Sequence, residues 1–305
     1  MKIDTRFIEA CQAFLKPEQL LCDEPMSKHT TVEIGGPADC LIFPASLAEV
    51  QQVLKLVRTY ELPLTILGNG SNLLVRDKGI RGVVLDFGVM MSSIRCEGTR
   101  IIAGAGALLK DVSECAAANA LTGLEYACGI PGSIGGAIFM NAGAYDGETK
   151  NVADVVRAVT RDGEIRTYQR NELDLGYRHS IFQSNGEAIC EVELQLQPAD
   201  EADVRAKIAD YTHRRESKQP LEMPSAGSTF KRPEGYFAGT LIDQTGLKGL
   251  QVGGAQVSTK HAGFVVNAGG ATAADVVNLI HEVQRQVKAK HGVELHPEVR
   301  MIGEE

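Results

Sequence analysis

Leu67-Gly68-Asn69-Gly70-Ser71-Asn72-Leu73-Leu74-Val75 follows the short apolar run that begins at Leu64 and ends in another. Glycines at 68 and 70 put no Cβ over the turn, so a phosphate oxygen could approach the backbone N–H groups closely. Asn69, Ser71 and Asn72 add side-chain donors. A second block of the same character, Gly129-Ile130-Pro131-Gly132-Ser133-Ile134-Gly135-Gly136, lies further along. One such loop is ordinary turn chemistry. Two in one presumptive domain point to a dinucleotide pyrophosphate. Gly68-Asn69-Gly70 and Gly104-Ala105-Gly106 both lack the third glycine of G-x-G-x-x-G, and no G-x-x-x-x-G-K-[ST] run exists. The implied site is neither of Rossmann nor of P-loop type.

Around these loops the periodicity alternates between helix and strand. Ser46 with Glu49 reads as a capping box for a helix over 46–59, its inner face Leu47, Val50, Val53, Leu54 and Val57. Val83 to Asp86 completes a β-α-β order, which predicts a small parallel or mixed sheet. A second helix is expected over 108–121. Asp162-Gly163 marks a hairpin, and Cys190 to Leu196 alternates apolar with polar residues. A charged helix is expected over 201–217, then a long loop over 218–236 of the kind that often carries function. Thr272 caps a helix to His291, with Gly292 as its stop. The chain then alternates with period two, Val293, Leu295, Val299 and Met301 against Glu294, His296, Glu298 and Arg300.

The chain has 305 residues, 44% of them hydrophobic, which suits about two domains. Its net charge of -8 and the absence of any basic cluster beyond Arg214-Arg215 argue against a nucleic-acid partner. No stretch approaches the ~18 apolar residues of a membrane span, and 1–16 does not read as a signal peptide. Seven cysteines with irregular spacing and no C-x-x-C pair argue against a disulfide framework or a metal site. A reducing, cytoplasmic setting is expected.

The two glycine-rich runs resemble the FAD loops of the UDP-N-acetylenolpyruvoylglucosamine reductase family, the second continuing through Met140-Asn141-Ala142-Gly143-Ala144-Tyr145. Lys28-His29-Thr30-Thr31 with Ile34-Gly35-Gly36-Pro37-Ala38-Asp39 resembles the family's opening segment, and the likeness runs from about Ser27 to Gly303. The resemblance implies an α+β protein with a vanillyl-alcohol-oxidase-like (PCMH-type) FAD-binding fold in two subdomains, over 1–198. A C-terminal α/β substrate-binding domain would occupy 199–305. It implies non-covalent FAD, NADPH as reductant, and UDP-N-acetylglucosamine enolpyruvate as substrate, reduced for peptidoglycan synthesis. Cofactor contacts carried over are Gly68, Asn69, Gly70, Ser71, Asn72, Leu73, Gly129, Pro131, Gly132, Ser133, Gly135, Gly136, Asn141, Gly143, Ala144 and, near the flavin, Arg300.

Three further motifs resemble the family's chemistry. Gly176-Tyr177-Arg178-His179-Ser180-Ile181-Phe182 would set Arg178 on the substrate carboxylate, beside Tyr177. Ser225-Ala226-Gly227-Ser228-Thr229-Phe230-Lys231 would make Ser228 the proton donor. His296-Pro297-Glu298-Val299-Arg300-Met301-Ile302-Gly303 would offer Glu298 to the intermediate. Lys218, Lys231 and Arg232 are candidates for the substrate's phosphates, although the family often has Asn where Arg232 stands. No Tyr-bearing lid lies between the arginine and serine motifs, whose only tyrosine is Tyr211. The short, lidless subgroup is therefore expected, as a monomer. Two other readings are another FAD oxidase of this fold and a non-catalytic nucleotide-sugar binder. Neither has reason to carry Arg178, Ser228 and Glu298 together.

Overall fold

After α1 (Thr5–Gln12), Ser46 caps α2 (Leu47–Thr59) with its hydroxyl, which accepts from Glu49 N at 3.2 Å. The Glu49 carboxylate reaches back one residue further than a capping box requires, to Ala45 N at 2.7 Å and Gln19 Nε2 at 2.7 Å. Val50, Val53, Leu54 and Val57 are buried, as their spacing demands. The structure, a computed structural model, describes residues 3–305.

The chain folds as two compact units that interleave along the sequence. The first comprises the described part of Met1–Cys22 with Cys40–Asn69 and Gly82–Arg215. The second comprises Asp23–Asp39, Gly70–Arg81 and Glu216–Glu305. The first unit thus runs past the expected end at 198 and omits two earlier segments. Composition sees only covalent neighbours, whereas Thr31 joins Ser225 through paired backbone and side-chain bonds of 3.1 and 2.7 Å.

β1 (Leu20–Pro25), β2 (Pro37–Ile42), β3 (Leu64–Leu67) and β5 (Ile80–Asp86) form a sheet ordered β1-β2-β5-β3, of which the parts at 20–22, 40–42, 64–67 and 82–86 belong to the first unit. β4 (Leu73–Val75) lies between β3 and β5 in sequence and pairs elsewhere. β3 and β5 are parallel, with Leu67 opposite Asp86. A second, five-stranded sheet runs Ile165–Gln169, Ala153–Val159, Ala188–Gln195, β7 (Arg100–Gly104), β6 (Ile94–Glu97), all antiparallel. The Asp162-Gly163 hairpin closes with Gly163 at φ +79. From Cys190 onward the strand Ala188–Gln195 buries alternate residues, as expected for a sheet with one wet face. The helix expected over 108–121 is α3 (Leu109–Ala118), and a single-turn helix, α5 (Phe182–Asn185), precedes the strand Ala188–Gln195.

The second unit packs the helices Ala238–Thr245 and Ala273–His291 on a sheet of Ser225–Ser228, Phe264–Asn267, Ala255–Val257 and Gln251–Val252. The strand Ser225–Ser228 interrupts the loop expected over 218–236. A Ser/Gly-rich strand carries no period-two apolar signal, and its partner strand supplies the pairing. At the C-terminus only Arg300–Ile302 is strand, parallel to β4. Leu295 and Val299 are nevertheless buried, so alternation reported burial more faithfully than strand length.

Ala273–His291 carries a complete N-terminal cap. Thr272 Oγ1 accepts from Asp275 N at 3.1 Å, and Asp275 returns the bond to Thr272 N at 3.0 Å. Asp77 takes Ala273 N and Ala274 N at 2.8 and 3.0 Å, leaving the first-turn donors satisfied. Val276, Leu279, Ile280, Val283 and Val287 face the core, each worth ~1.5–3 kcal/mol on burial. Thr272→Ala should lower stability by about 1 kcal/mol in urea unfolding. An unchanged midpoint would show that Asp77 alone suffices.

Candidate active site

The two glycine-rich loops meet inside the first unit. Asn69 Nδ2 donates to Pro131 O at 2.6 Å. A Cβ on Gly68 would fall within hard contact of Ser133 Oγ, the hydroxyl that caps α4 (Ile134–Met140) by accepting from Gly136 N at 3.3 Å. Gly135 N donates to Ala105 O at 2.9 Å, and a Cβ there would meet the Ala105 Cβ at 2.9 Å. Gly143 lies as close to Gly147 O, at 2.8 Å from a built Cβ. These glycines are therefore demanded by protein packing, where the sequence suggested phosphate approach. Gly136 differs, with only Ser133 Oγ at 3.5 Å from a built Cβ.

Sequence reasoning missed Arg215. Its side chain fills the space over Gly129, with Cδ 2.7 Å from a built Cβ, and it donates to Gly129 O. Its Nε is buried without a partner among the described residues. A guanidinium N–H left orphaned beside such a loop fits an anionic group, as a dinucleotide pyrophosphate is. The signal was present in Arg214-Arg215, but only the fold shows that Arg215 turns inward.

Asn141 joins the second loop to the arginine motif. It caps α4 in a left-handed conformation, φ +43, and is 1% exposed. Its amide donates to Glu148 Oε2 at 2.8 Å and Gly176 O at 2.9 Å, and its carbonyl accepts from Lys150 N at 2.9 Å. Gly176 and His179 close a tight turn, and Ser180 Oγ and Gln183 Nε2 both donate to Phe139 O at 2.8 Å. Arg178 sits at the turn with φ +55, its guanidinium 5.2 Å from the Tyr177 ring. Non-glycine residues held there store strain, a recurrent feature of functional turns. Lys150, then the Asn141 amide, then the Arg178 charge hold the Glu148 carboxyl below its ordinary pKa. Phe182 is buried, while Tyr177 is 61% exposed and screens Arg178 from one side only.

In the second unit three distant stretches are woven together. Thr229 O accepts from Glu298 N at 2.8 Å, and Lys231 N donates to His296 O at 2.8 Å. Ser228 and Glu298 therefore stand on adjoining segments, the Ser228 residue exposed and Glu298 half-buried. Asn72 Nδ2 donates to Glu298 O at 3.3 Å, and Arg300 N to Asn72 O at 3.0 Å. Leu73 pairs with Arg300 in register. The chain passes from one unit to the other between Asn69 and Gly70, so Gly70, Ser71 and Asn72 belong to this second weave. Gly70 adopts φ +60, and a Cβ there would strike His29 O.

Lys218, Lys231 and Arg232 are all exposed, with the Arg232 guanidinium 4.0 Å from the Phe237 ring. Burial, then the Lys248 and Lys218 charges, hold the His261 imidazole below its ordinary pKa. Tyr211 lies in α6 (Glu201–Lys218), stacked on Tyr145 at 4.5 Å with 7° between rings, and accepts from Tyr145 Oη through its carbonyl at 3.3 Å. The pair borders a cavity of about 420 Å³ that also exposes Glu125, Arg170 and Lys207.

Residues 219–302 match the family described as UDP-N-acetylenolpyruvoylglucosamine reductase, C-terminal domain, and 38–169 match an FAD binding domain. The UDP-N-acetylenolpyruvoylglucosamine reductase of Clostridium perfringens is 53% identical over 297 residues, 97% of either chain. That of Geobacillus thermodenitrificans is 54% identical over 288 residues, 94% of either chain. The crystal structure of the Thermus caldophilus UDP-N-acetylenolpyruvylglucosamine reductase superposes with a TM-score of 0.79 at 35% identity, over 92% of this chain and 97% of that one. Alkyldihydroxyacetonephosphate synthase, at 19% identity and a TM-score of 0.51, covers 65% of this chain and 41% of that one, and shares the fold alone.

Gly68→Ala should drive the two loops apart and weaken FAD retention about tenfold or more. Ser133→Ala added to it opens the space and should restore most of that binding, less a capping loss of ~1 kcal/mol. Flavin fluorescence titration reads both. Wild-type affinity in the single variant would contradict the packing argument.

Proposed function

We propose, because the chain belongs to the UDP-N-acetylenolpyruvoylglucosamine reductase family, that it reduces UDP-N-acetylglucosamine enolpyruvate to UDP-N-acetylmuramate. NADPH is the reductant and FAD the non-covalent cofactor. The observation that carries the reading is the weave of Asn72, Ser228 and Glu298. A cofactor loop, a hydroxyl and a carboxyl are tied into one surface of the second unit.

FAD held there would supply the hydride chemistry that links NADPH to the methylene carbon of the enol ether. The residues around it handle the charge and the proton. Negative charge develops on the carbon beside the substrate carboxylate. Arg178 holds that carboxylate in a planar, two-oxygen grip, since guanidinium stays charged at every working pH. Glu298 helps to stabilise the same charge. The Ser228 hydroxyl gives its proton to the carbon, and solvent returns one to the serine oxygen. The exposure of Ser228 suits a group that must meet substrate.

Asn69, the Gly129–Gly136 loop and Arg215 would hold the dinucleotide phosphates, with Asn141, Gly143, Ala144 and Arg300 as further cofactor contacts. Lys218, Lys231 and Arg232 would serve the substrate diphosphate, with Tyr177 as a further substrate contact. On this reading 1–198 serves chiefly the cofactor and 199–305 the substrate, in a cytoplasmic monomer.

Ser228→Ala separates the half-reactions. Bleaching of the flavin by NADPH should stay nearly unchanged, because it needs no proton at carbon. Recolouring by the enolpyruvyl sugar should slow by ~10²–10⁴-fold. Equal loss in both phases of a stopped-flow trace would remove Ser228 from the proton-donor role. Oxygen consumption with a simple alcohol and indifference to NADPH would instead favour an oxidase.

A further inference from the structure

Asp86 ends β5 directly opposite Leu67, the residue before the first glycine loop. Leu64 and Ile66 of β3 and Val83 and Leu85 of β5 pack into the core that also holds Val50, Val53 and Leu54 of α2. Strand alternation turns Val84 and Asp86 to the opposite face, which α2 does not cover. The carboxyl-terminal ends of parallel strands are where open α/β sheets place ligands.

Around Asp86 a closed ring of glycine contacts can be traced within the first unit. Gly68 abuts Ser133, and Asn69 is tied to Pro131. Gly135 is pressed on Ala105. A Cβ on Gly106 would strike Gly88 O, and Gly106 N donates to Met91 O at 3.0 Å. A Cβ on Gly88 would lie 3.6 Å from Asp86 Oδ1, and Phe87 N donates to Leu67 O at 2.9 Å, which closes the circuit. Both proposed cofactor loops are therefore members of a ring that Asp86 joins at Gly88 and, through strand pairing, at Leu67.

We propose that Asp86 is a further binding residue of the dinucleotide site, its protonated carboxyl donating a hydrogen bond to the bound cofactor. This rests on the reading that the chain holds FAD. Asp86 is 6% exposed. Burial pushes its pKa from an ordinary 3.8 up to about 7. No ionisable side chain occurs in β3, in 68–72, in 87–93, in 104–108 or in 131–136. The neighbouring strand β2 carries Asp39, paired with Arg81, and the buried Cys40. The neutral carboxyl is a donor. Ionised, it becomes an acceptor only and repels an anionic dinucleotide. What the neutral form contributes to binding is present below about 7 and is lost as the pH climbs through that value.

The test is an FAD titration of apoprotein by flavin fluorescence, at about pH 6 and about pH 8. Wild-type affinity should fall by about tenfold per pH unit above the midpoint. Asp86→Asn keeps a donor and never ionises, so it should bind equally at both values and as tightly as wild type at the acidic one. Asp86→Leu has no donor and should bind weakly at both. A flat wild-type profile overturns the proposal, and so does an Asn variant that follows the wild-type curve. Where the Leu variant fails to fold by circular dichroism, the Asn comparison decides. Wild type that binds no FAD at any pH sinks the FAD reading itself, a result distinct from either.

Discussion

The contact of Gly68 with Ser133, reinforced by Asn69 on Pro131, is the constraint on which the first unit's site depends. Two loops about sixty residues apart in sequence can be held this closely only if position 68 carries no Cβ over the Ser133 hydroxyl. The same hydroxyl that fills the space caps α4, so loop contact and helix start are a single arrangement. Ala105 under Gly135, and Arg215 over Gly129, extend it on either side.

From that junction the functional groups follow by short, satisfied connections. Asn141 carries the order of the second loop to the Arg178 turn by donating to Gly176 O, and Gln183 steadies the turn by donating to Arg178 O at 2.9 Å. In the second unit backbone bonds do the same work, Glu298 N donating to Thr229 O beside Ser228. The parallel pairing of β4 with Arg300–Ile302 adds the remainder of the first loop to the same surface.

The glycines show how one residue type can be read two ways. From sequence, Gly129, Gly132, Gly135 and Gly136 are alike. In the fold, Gly129 and Gly135 have their missing Cβ positions occupied by protein atoms, whereas Gly136 meets only a hydroxyl at ordinary contact distance. A substitution at the first kind disturbs packing before it disturbs any ligand.

Local chemistry alone determined much of this protein. The cap at Ser46, the helix from Thr272 to the Gly292 stop, the Asp162-Gly163 turn and the alternation from Cys190 to Gln195 are short-range effects, and they appear where the residues place them. The motifs around Gly68, Gly129, Arg178, Ser228 and Glu298 were legible for the same reason, since each is a contiguous run. Only tertiary structure decided that 23–39 and 70–81 pack with the C-terminal unit, that Ser225–Ser228 is a strand, that Arg215 covers Gly129 and that Asp86 joins a ring of loops. Those depend on which surfaces bury each other across long loops of chain. The closure entropy of such contacts is repaid by packing and by backbone bonds to partners that no local window of residues contains.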